Sequence, residues 1–82
     1  MVIVAFGEGF QKTFSKIRDL AVKQKIIKQL AKLKENPELG KPMRFARQGT
    51  REIYVSPYRL SYIFQKDENK IVILDFYHKD GQ

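Results

Sequence analysis

Residues 58–78 read YRLSYIFQKDENKIVILDFYH, and the two patterns on either side of its polar break decide how the chain folds. In YRLSYIFQ, Tyr58, Leu60, Tyr62 and Phe64 alternate with Arg59, Ser61, Ile63 and Gln65. Successive side chains of a strand point to opposite faces, so this is a strand with one apolar, core-facing side. Asp67, Glu68 and Asn69 predict a turn. KIVILDFYH, residues 70–78, is then apolar nearly throughout, the pattern of a central strand covered on both faces.

Working back from this hairpin, REIYV (residues 51–55) also alternates, and Ser56-Pro57 predicts the turn that joins it to Tyr58. MRFARQ (residues 43–48) sets Met43 and Phe45 against Arg44 and Ala46 and is expected to be an edge strand. Before it, the period changes. Phe10, Phe14, Ile17 and Ala21 recur at helical spacing, and so do Val22, Ile26, Leu30 and Leu33, with Ile27 widening the second stripe. Lys23, Lys25, Lys28, Lys32 and Lys34 take the opposite face of that second helix. Pro37 disfavours helical geometry at Asn36, and Gly40 and Pro42 punctuate the segment after it. At the other end MVIVAF is β-branched and apolar, a strand closed by Gly7 and Gly9.

The expected fold class is therefore α+β: an N-terminal strand, an antiparallel two-helix hairpin, then a three- to four-stranded antiparallel sheet with both helices on one face. The first strand can lie parallel to the last. Eighty-two residues make one domain, 1–82, with room for one thin core. Nothing remains to cover the second face of the sheet, which must tolerate water or hold a ligand.

Cysteine is absent and there is one histidine, which excludes a disulfide framework and a thiolate metal site and makes a structural metal improbable. No apolar run has the length of a signal segment or a membrane span, so a soluble cytoplasmic protein is expected. Sixteen Lys and Arg against nine Asp and Glu leave a net charge of +7, which favours polyanions or an acidic protein partner.

The arginines are placed with more economy than the lysines. Lys41, Arg44, Arg47, Arg51 and Arg59 lie within residues 41–59, where Glu52 is the lone carboxylate. Strand parity sends Arg59 to the open face together with Glu52, Tyr54 and Ser56, and Arg44 joins them opposite Met43 and Phe45. Arg51 shares the core parity but begins its strand. The planar guanidinium matches phosphate oxygens bidentately, and Tyr54 and Tyr77 can stack on unpaired bases. The same arginines also suit a guard against edge-to-edge aggregation. Glu52 reads best as an ion-pair partner of a neighbouring Arg, while Asp75 shares parity with Tyr77 and can equally pair with Arg59. His78 has the parity of Val72, Leu74 and Phe76, which would make it a cap on the core.

Asn36-Pro37 with Gly40-Lys41, the Tyr58–Tyr62 strand and a closing strand that ends in His78, in this order and over nearly the whole chain, resemble the RelE/ParE toxin superfamily of toxin–antitoxin modules. The resemblance implies a small α+β toxin wrapped by a cognate antitoxin. Members similar to RelE cut messenger RNA in the ribosomal A site with no metal or other cofactor, whereas members similar to ParE poison DNA gyrase. By this resemblance Arg59 matches the strand arginine that contacts the scissile phosphate. His78, or Lys79 beside it, falls where the nuclease branch places a C-terminal His or Arg. The expected catalytic set is Arg59, His78, Lys79 and Arg51, and the expected RNA-binding set is Lys41, Arg44, Arg47, Tyr54 and Tyr77. Where several nucleases carry a further aromatic residue, this chain has Asp80, Gly81 and Gln82. Three readings stay open: a ribosome-dependent endoribonuclease, a non-catalytic gyrase inhibitor, and a decayed toxin that binds only antitoxin and, through that complex, operator DNA. None involves a membrane.

Overall fold

The computed structural model describes residues 2–45 and 48–78. Among these, strand β1 (Ile3–Phe6) leads into helices α1 (Glu8–Lys16) and α2 (Leu20–Glu35), followed by β2 (Lys41–Pro42), β3 (Arg51–Val55), β4 (Tyr58–Gln65) and β5 (Lys70–His78). The strands form one sheet in the order β1-β5-β4-β3-β2. β1 runs parallel to β5, and every other neighbouring pair is antiparallel. The α+β expectation holds, with β1 completing a five-stranded sheet.

The helical stripes bury as their spacing demands. Phe10, Ile17, Ile26 and Leu33 pack against Ile53, Val55, Leu60, Tyr62, Ile71, Ile73 and Phe76 of the sheet. Burying one such aliphatic or aromatic side chain stabilises the fold by about 1.5–3 kcal/mol. The boundary between the helices lies earlier than the periodicity suggests: α1 stops at Lys16, and Asp19 caps α2 by accepting from the Ala21 N–H at 2.9 Å. An aspartate at that position satisfies one of the orphan donors of a helix start, which a hydrophobic stripe cannot report.

Among the described residues α1 has no side-chain cap. Its first turn is instead held on β5, where the Gly7 N–H donates to Ile73 O at 2.7 Å. A Cβ at Gly7 would come within 3.0 Å of that same oxygen, so the close approach depends on glycine. The contact falls beside an irregularity in β5. Ser61 pairs with Asp75 but Tyr62 pairs with Ile73, so Leu74 is an extra residue and the facing of β5 changes there. Ile71 and Ile73 before the bulge and Phe76 after it are the buried side chains. Val72 and Tyr77 are only half-buried, which corrects the expectation of a strand covered on both faces.

Of the strand expected over residues 43–48, residues 43–45 and Gln48 lie outside any strand, residues 46 and 47 fall outside the described residues, and a two-residue β2 precedes the stretch. Lys41 and Pro42 pair with Glu52 and Arg51, Met43 N donates to Thr50 O at 3.0 Å, and the chain then turns at Phe45 with φ 58°. Alternation in this stretch had no burial behind it, since Phe45 is 91% exposed.

One buried hydroxyl holds the link from α2 to this hairpin. Tyr62 Oη donates to Pro37 O and accepts from the Gly40 N–H, both at 2.8 Å. Gly40 sits so close to the ring that a Cβ would lie 2.7 Å from Tyr62 Cε1. Burial pushes the Tyr62 phenol above its ordinary value of 10.0, with the Gly40 N–H and the Arg51 charge opposing the shift. The unfolded chain therefore gives up this proton first, so the contribution of Tyr62 is complete below about pH 10 and is lost as pH rises through the higher folded value. Tyr62→Phe strands a buried N–H and a carbonyl. We expect it to cost about 1–3 kcal/mol in urea unfolding at neutral pH and to flatten the alkaline loss of stability seen in the parent.

Candidate functional site

The face of the sheet away from the helices carries a short polar row set by strand register. Arg59 of β4 stands between Tyr54 of β3 and Tyr77 of β5, its direct partners on either side. One step along, Lys41, Glu52 and Ser61 line up across β2 to β4, while Asp75, the register partner of Ser61 beside the bulge, holds its carboxylate against the start of α1, 3.4 Å from where a Gly9 Cβ would stand. The parity argument placed Glu52, Tyr54 and Arg59 correctly.

Glu52 is the organising group. Its side chain is 6% exposed, and both carboxylate oxygens are engaged: Arg59 Nη1 lies 3.4 Å from Oε1, and the Tyr77 hydroxyl donates to Oε2. A buried carboxylate is tolerated only when paired and hydrogen-bonded in this way. Arg59 stays 40% exposed, and its Nε is a buried donor with no acceptor among the described residues. One edge of the guanidinium is thus spent on Glu52 while the fork as a whole is incompletely satisfied. Sequence reasoning foresaw an ion pair for Glu52 but not the Tyr77 hydroxyl, because that contact reaches diagonally across β4 and depends on the order of the strands.

A groove of about 640 Å³ opens beside this cluster, bounded by Lys41, Arg44, Phe45, Glu52, Tyr54 and Arg59. Arg44 reaches it from the loop after β2, so its place on the open face comes from that loop and not from strand parity. Phe45 is the site residue that sequence reasoning missed. Alternation assigned it to the core, and no local signal contradicts that reading.

Two expected members stand elsewhere. Arg51 shares the helix-side parity and is committed to the α2–β2 link, donating through Nη1 to Gly40 O at 2.7 Å and to Glu38 O at 3.1 Å, with Nη2 3.7 Å from Glu38 Oε2. It is a clamp on the backbone, away from Arg59. His78 pairs in register with Tyr58 and meets its ring edge-to-face at 5.5 Å, on the side where Tyr58 stacks on Phe76. The imidazole is therefore across the sheet from Arg59. Asp75 does not pair with Arg59 in this geometry; its carboxylate accepts from the Phe76 N–H at 2.7 Å within the bulge. Arg47 and Lys79 lie outside the described residues. Among the described residues no group of three or more His, Cys, Asp or Glu is placed to hold a metal ion, and no helix is long and apolar enough to cross a membrane.

This architecture is an α+β domain with a helical hairpin on one face of the sheet and a cationic, aromatic row on the other. The sequence profile described as "ParE toxin of type II toxin-antitoxin system, parDE" matches residues 4–82, and the chain belongs to this family, within the RelE/ParE superfamily of type II toxin–antitoxin toxins. Solved structures agree in fold. The toxin–antitoxin complex RelBE2 from Mycobacterium tuberculosis superposes with a TM-score of 0.82 at 24% identity, over 95% of this chain and 98% of that one. The RelBE toxin–antitoxin complex of E. coli gives 0.81 at 18% identity, over 98% and 99%. The YoeB/ParE toxin from Agrobacterium tumefaciens gives 0.81 at 14% identity, over 94% and 98%. No curated protein matches the sequence.

The Arg59–Glu52 pair sets a measurable coupling. Arg59→Ala leaves a buried carboxylate with one partner fewer and is expected to cost about 1–3 kcal/mol. In the Glu52→Gln background the same change should cost clearly less, a coupling of at least about 0.5 kcal/mol in a double-mutant cycle read by urea unfolding. Additive losses would show that the pair contributes no coupling.

Proposed function

We propose that this chain is a growth-arresting toxin that cuts messenger RNA on the ribosome and is held inactive by a cognate antitoxin. The observation that carries the reading is the row Tyr54–Arg59–Tyr77 on the uncovered face, with Lys41 and Arg44 at its margin. An arginine between two aromatic rings is suited to a phosphate flanked by unpaired bases.

Metal-free scission needs a base for the 2′-hydroxyl and cations to offset charge on a phosphorane, and each acid–base role is worth roughly 10²–10⁴ in rate. Arg59 is the cation. Glu52 and Tyr77 are the proton-transfer groups nearest to it: a 2′-hydroxyl meeting Tyr77 Oη can give up its proton as the phenol proton moves to Glu52, the 2′-oxygen then bonds to phosphorus to give a 2′,3′-cyclic phosphate, and the P–O5′ bond breaks with the 5′-oxygen taking a proton from water. This reading moves the base from His78 to the open face, because the imidazole stands across the sheet.

The antitoxin is proposed by kinship with the solved toxin–antitoxin complexes. An apolar groove of about 660 Å³ between β1, α1 and α2, with Phe6, Phe10, Phe14, Ile27 and Leu30 on its walls, suits an apolar strand or helix of an acidic partner on a chain of net charge +7.

A second reading, gyrase inhibition without catalysis, is favoured by the ion pair that partly neutralises Arg59. The two separate in one experiment. The protein freed of antitoxin is added to a translation system with message ends mapped, and to a gyrase supercoiling assay in parallel. Message cleavage is expected. Arg59→Lys, Glu52→Gln and Tyr77→Phe should each lower it by about a hundredfold or more, while His78→Gln should leave it within about tenfold. Intact message with supercoiling blocked would replace the first reading by the second.

A further inference from the structure

Phe45 is expensive to present as this fold presents it. A bulky side chain at φ 58° is an uncommon conformation, and here it leaves the ring 91% exposed instead of packing it. Strain of this kind persists where surrounding structure imposes it, and it concentrates at ligand sites. The surroundings are specific: the ring borders the groove that also holds Lys41, Arg44, Tyr54 and Arg59, with Tyr54 itself 55% exposed. Arg59 faces this groove with Nε lacking an acceptor among the described residues.

We infer that this groove is a subsite for one unpaired nucleobase of a single-stranded RNA, the base stacking on Phe45 and Tyr54 and its phosphate lying toward Arg59 and Lys41. The inference rests on the RNA reading above and adds to it Phe45, a second exposed ring beside Tyr54 in the groove that Glu52 also lines. A volume of about 640 Å³ suits a nucleotide-sized ligand. Two exposed rings favour an unpaired base, because in a duplex the base faces are occupied by their neighbours. Three cations, Lys41, Arg44 and Arg59, against the one carboxylate Glu52 give the groove the charge a phosphate requires. Phe45 and Lys41 stand outside the Arg59–Glu52–Tyr77 set that carries the cleavage step, so substitutions at these two positions read binding apart from chemistry.

The test is equilibrium binding of the full chain, freed of antitoxin, to a short 2′-O-methylated oligoadenylate that resists cleavage, to its duplex with oligouridylate, and to inorganic polyphosphate, each over a range of salt. The single strand is expected to bind more tightly than the duplex or polyphosphate. Phe45→Ala should weaken the single strand by roughly five- to a hundredfold, leaving polyphosphate binding, the salt slope and the unfolding midpoint unchanged, and Phe45→Trp should restore it. Lys41→Ala should instead reduce the salt slope by about one and weaken all three ligands alike. A Phe45→Ala variant that binds the single strand as the parent does, or loses polyphosphate equally, overturns the base subsite while leaving the RNA reading standing. A parent chain that does not prefer the single strand also overturns the base subsite, whereas the RNA reading itself falls only if message stays intact in the translation system.

Discussion

The extra residue in β5 controls which side chains reach which face. With Leu74 unopposed, Phe76 lands in the core beside Tyr58, and Tyr77 lands on the open face beside Arg59. A straight strand carrying Ile71 and Ile73 inward would have sent Tyr77 to the helices and Phe76 to solvent, because strand facing has a period of two. The bulge costs a ladder position. The core contacts of Phe76 and the backbone bond from Gly7 to Ile73 offset that cost, since α1 starts directly over the irregularity. Helix placement, core closure and the polar row thus share one backbone feature, consistent with the habit of bulges to re-aim side chains next to functional sites.

A second constraint positions the groove. β2 is only two residues long and cannot hold residues 41–45 against the sheet through its own ladder. The buried hydroxyl of Tyr62 and the guanidinium of Arg51 do so from beneath, binding Pro37 O, the Gly40 N–H, Gly40 O and Glu38 O. Both residues lie on the helix side of the sheet, yet they decide where Lys41 and Arg44 stand on the other side. Arg51 therefore acts on the site through the backbone, a different part from the cation its composition suggested.

The open face is electrostatically balanced at its centre and positive at its rim. Glu52 holds Arg59 and Tyr77 in place, as a buried carboxylate with two donors should, and it lowers the charge that Arg59 shows to an approaching anion. Lys41 and Arg44, beyond the pair, keep the groove attractive to phosphate. Such a face can orient an incoming strand by geometry at the centre while drawing it in by charge at the margin.

By itself the sequence determined the class of fold, the two helices, the strands β3 to β5 and the facing of Glu52, Tyr54 and Arg59. The reason is that amphipathic periods of 3.6 and 2 are local, and an apolar stripe has one way to be buried. Strand parity also offered the helix side for His78 and Arg51, while the tertiary structure alone decided what holds them there and where Phe45 stands. His78 keeps the facing of Phe76, as parity had it, but the inserted Leu74 reverses that facing relative to Val72, and an inserted residue leaves no mark in an apolar run. Arg51 was captured by carbonyls of a segment eleven to thirteen residues away in sequence. Phe45 was carried out of its apparent strand by a turn with positive φ, which no glycine or asparagine announces. Each of these depends on non-local contacts or on backbone strain, and neither is written in the spacing of apolar residues.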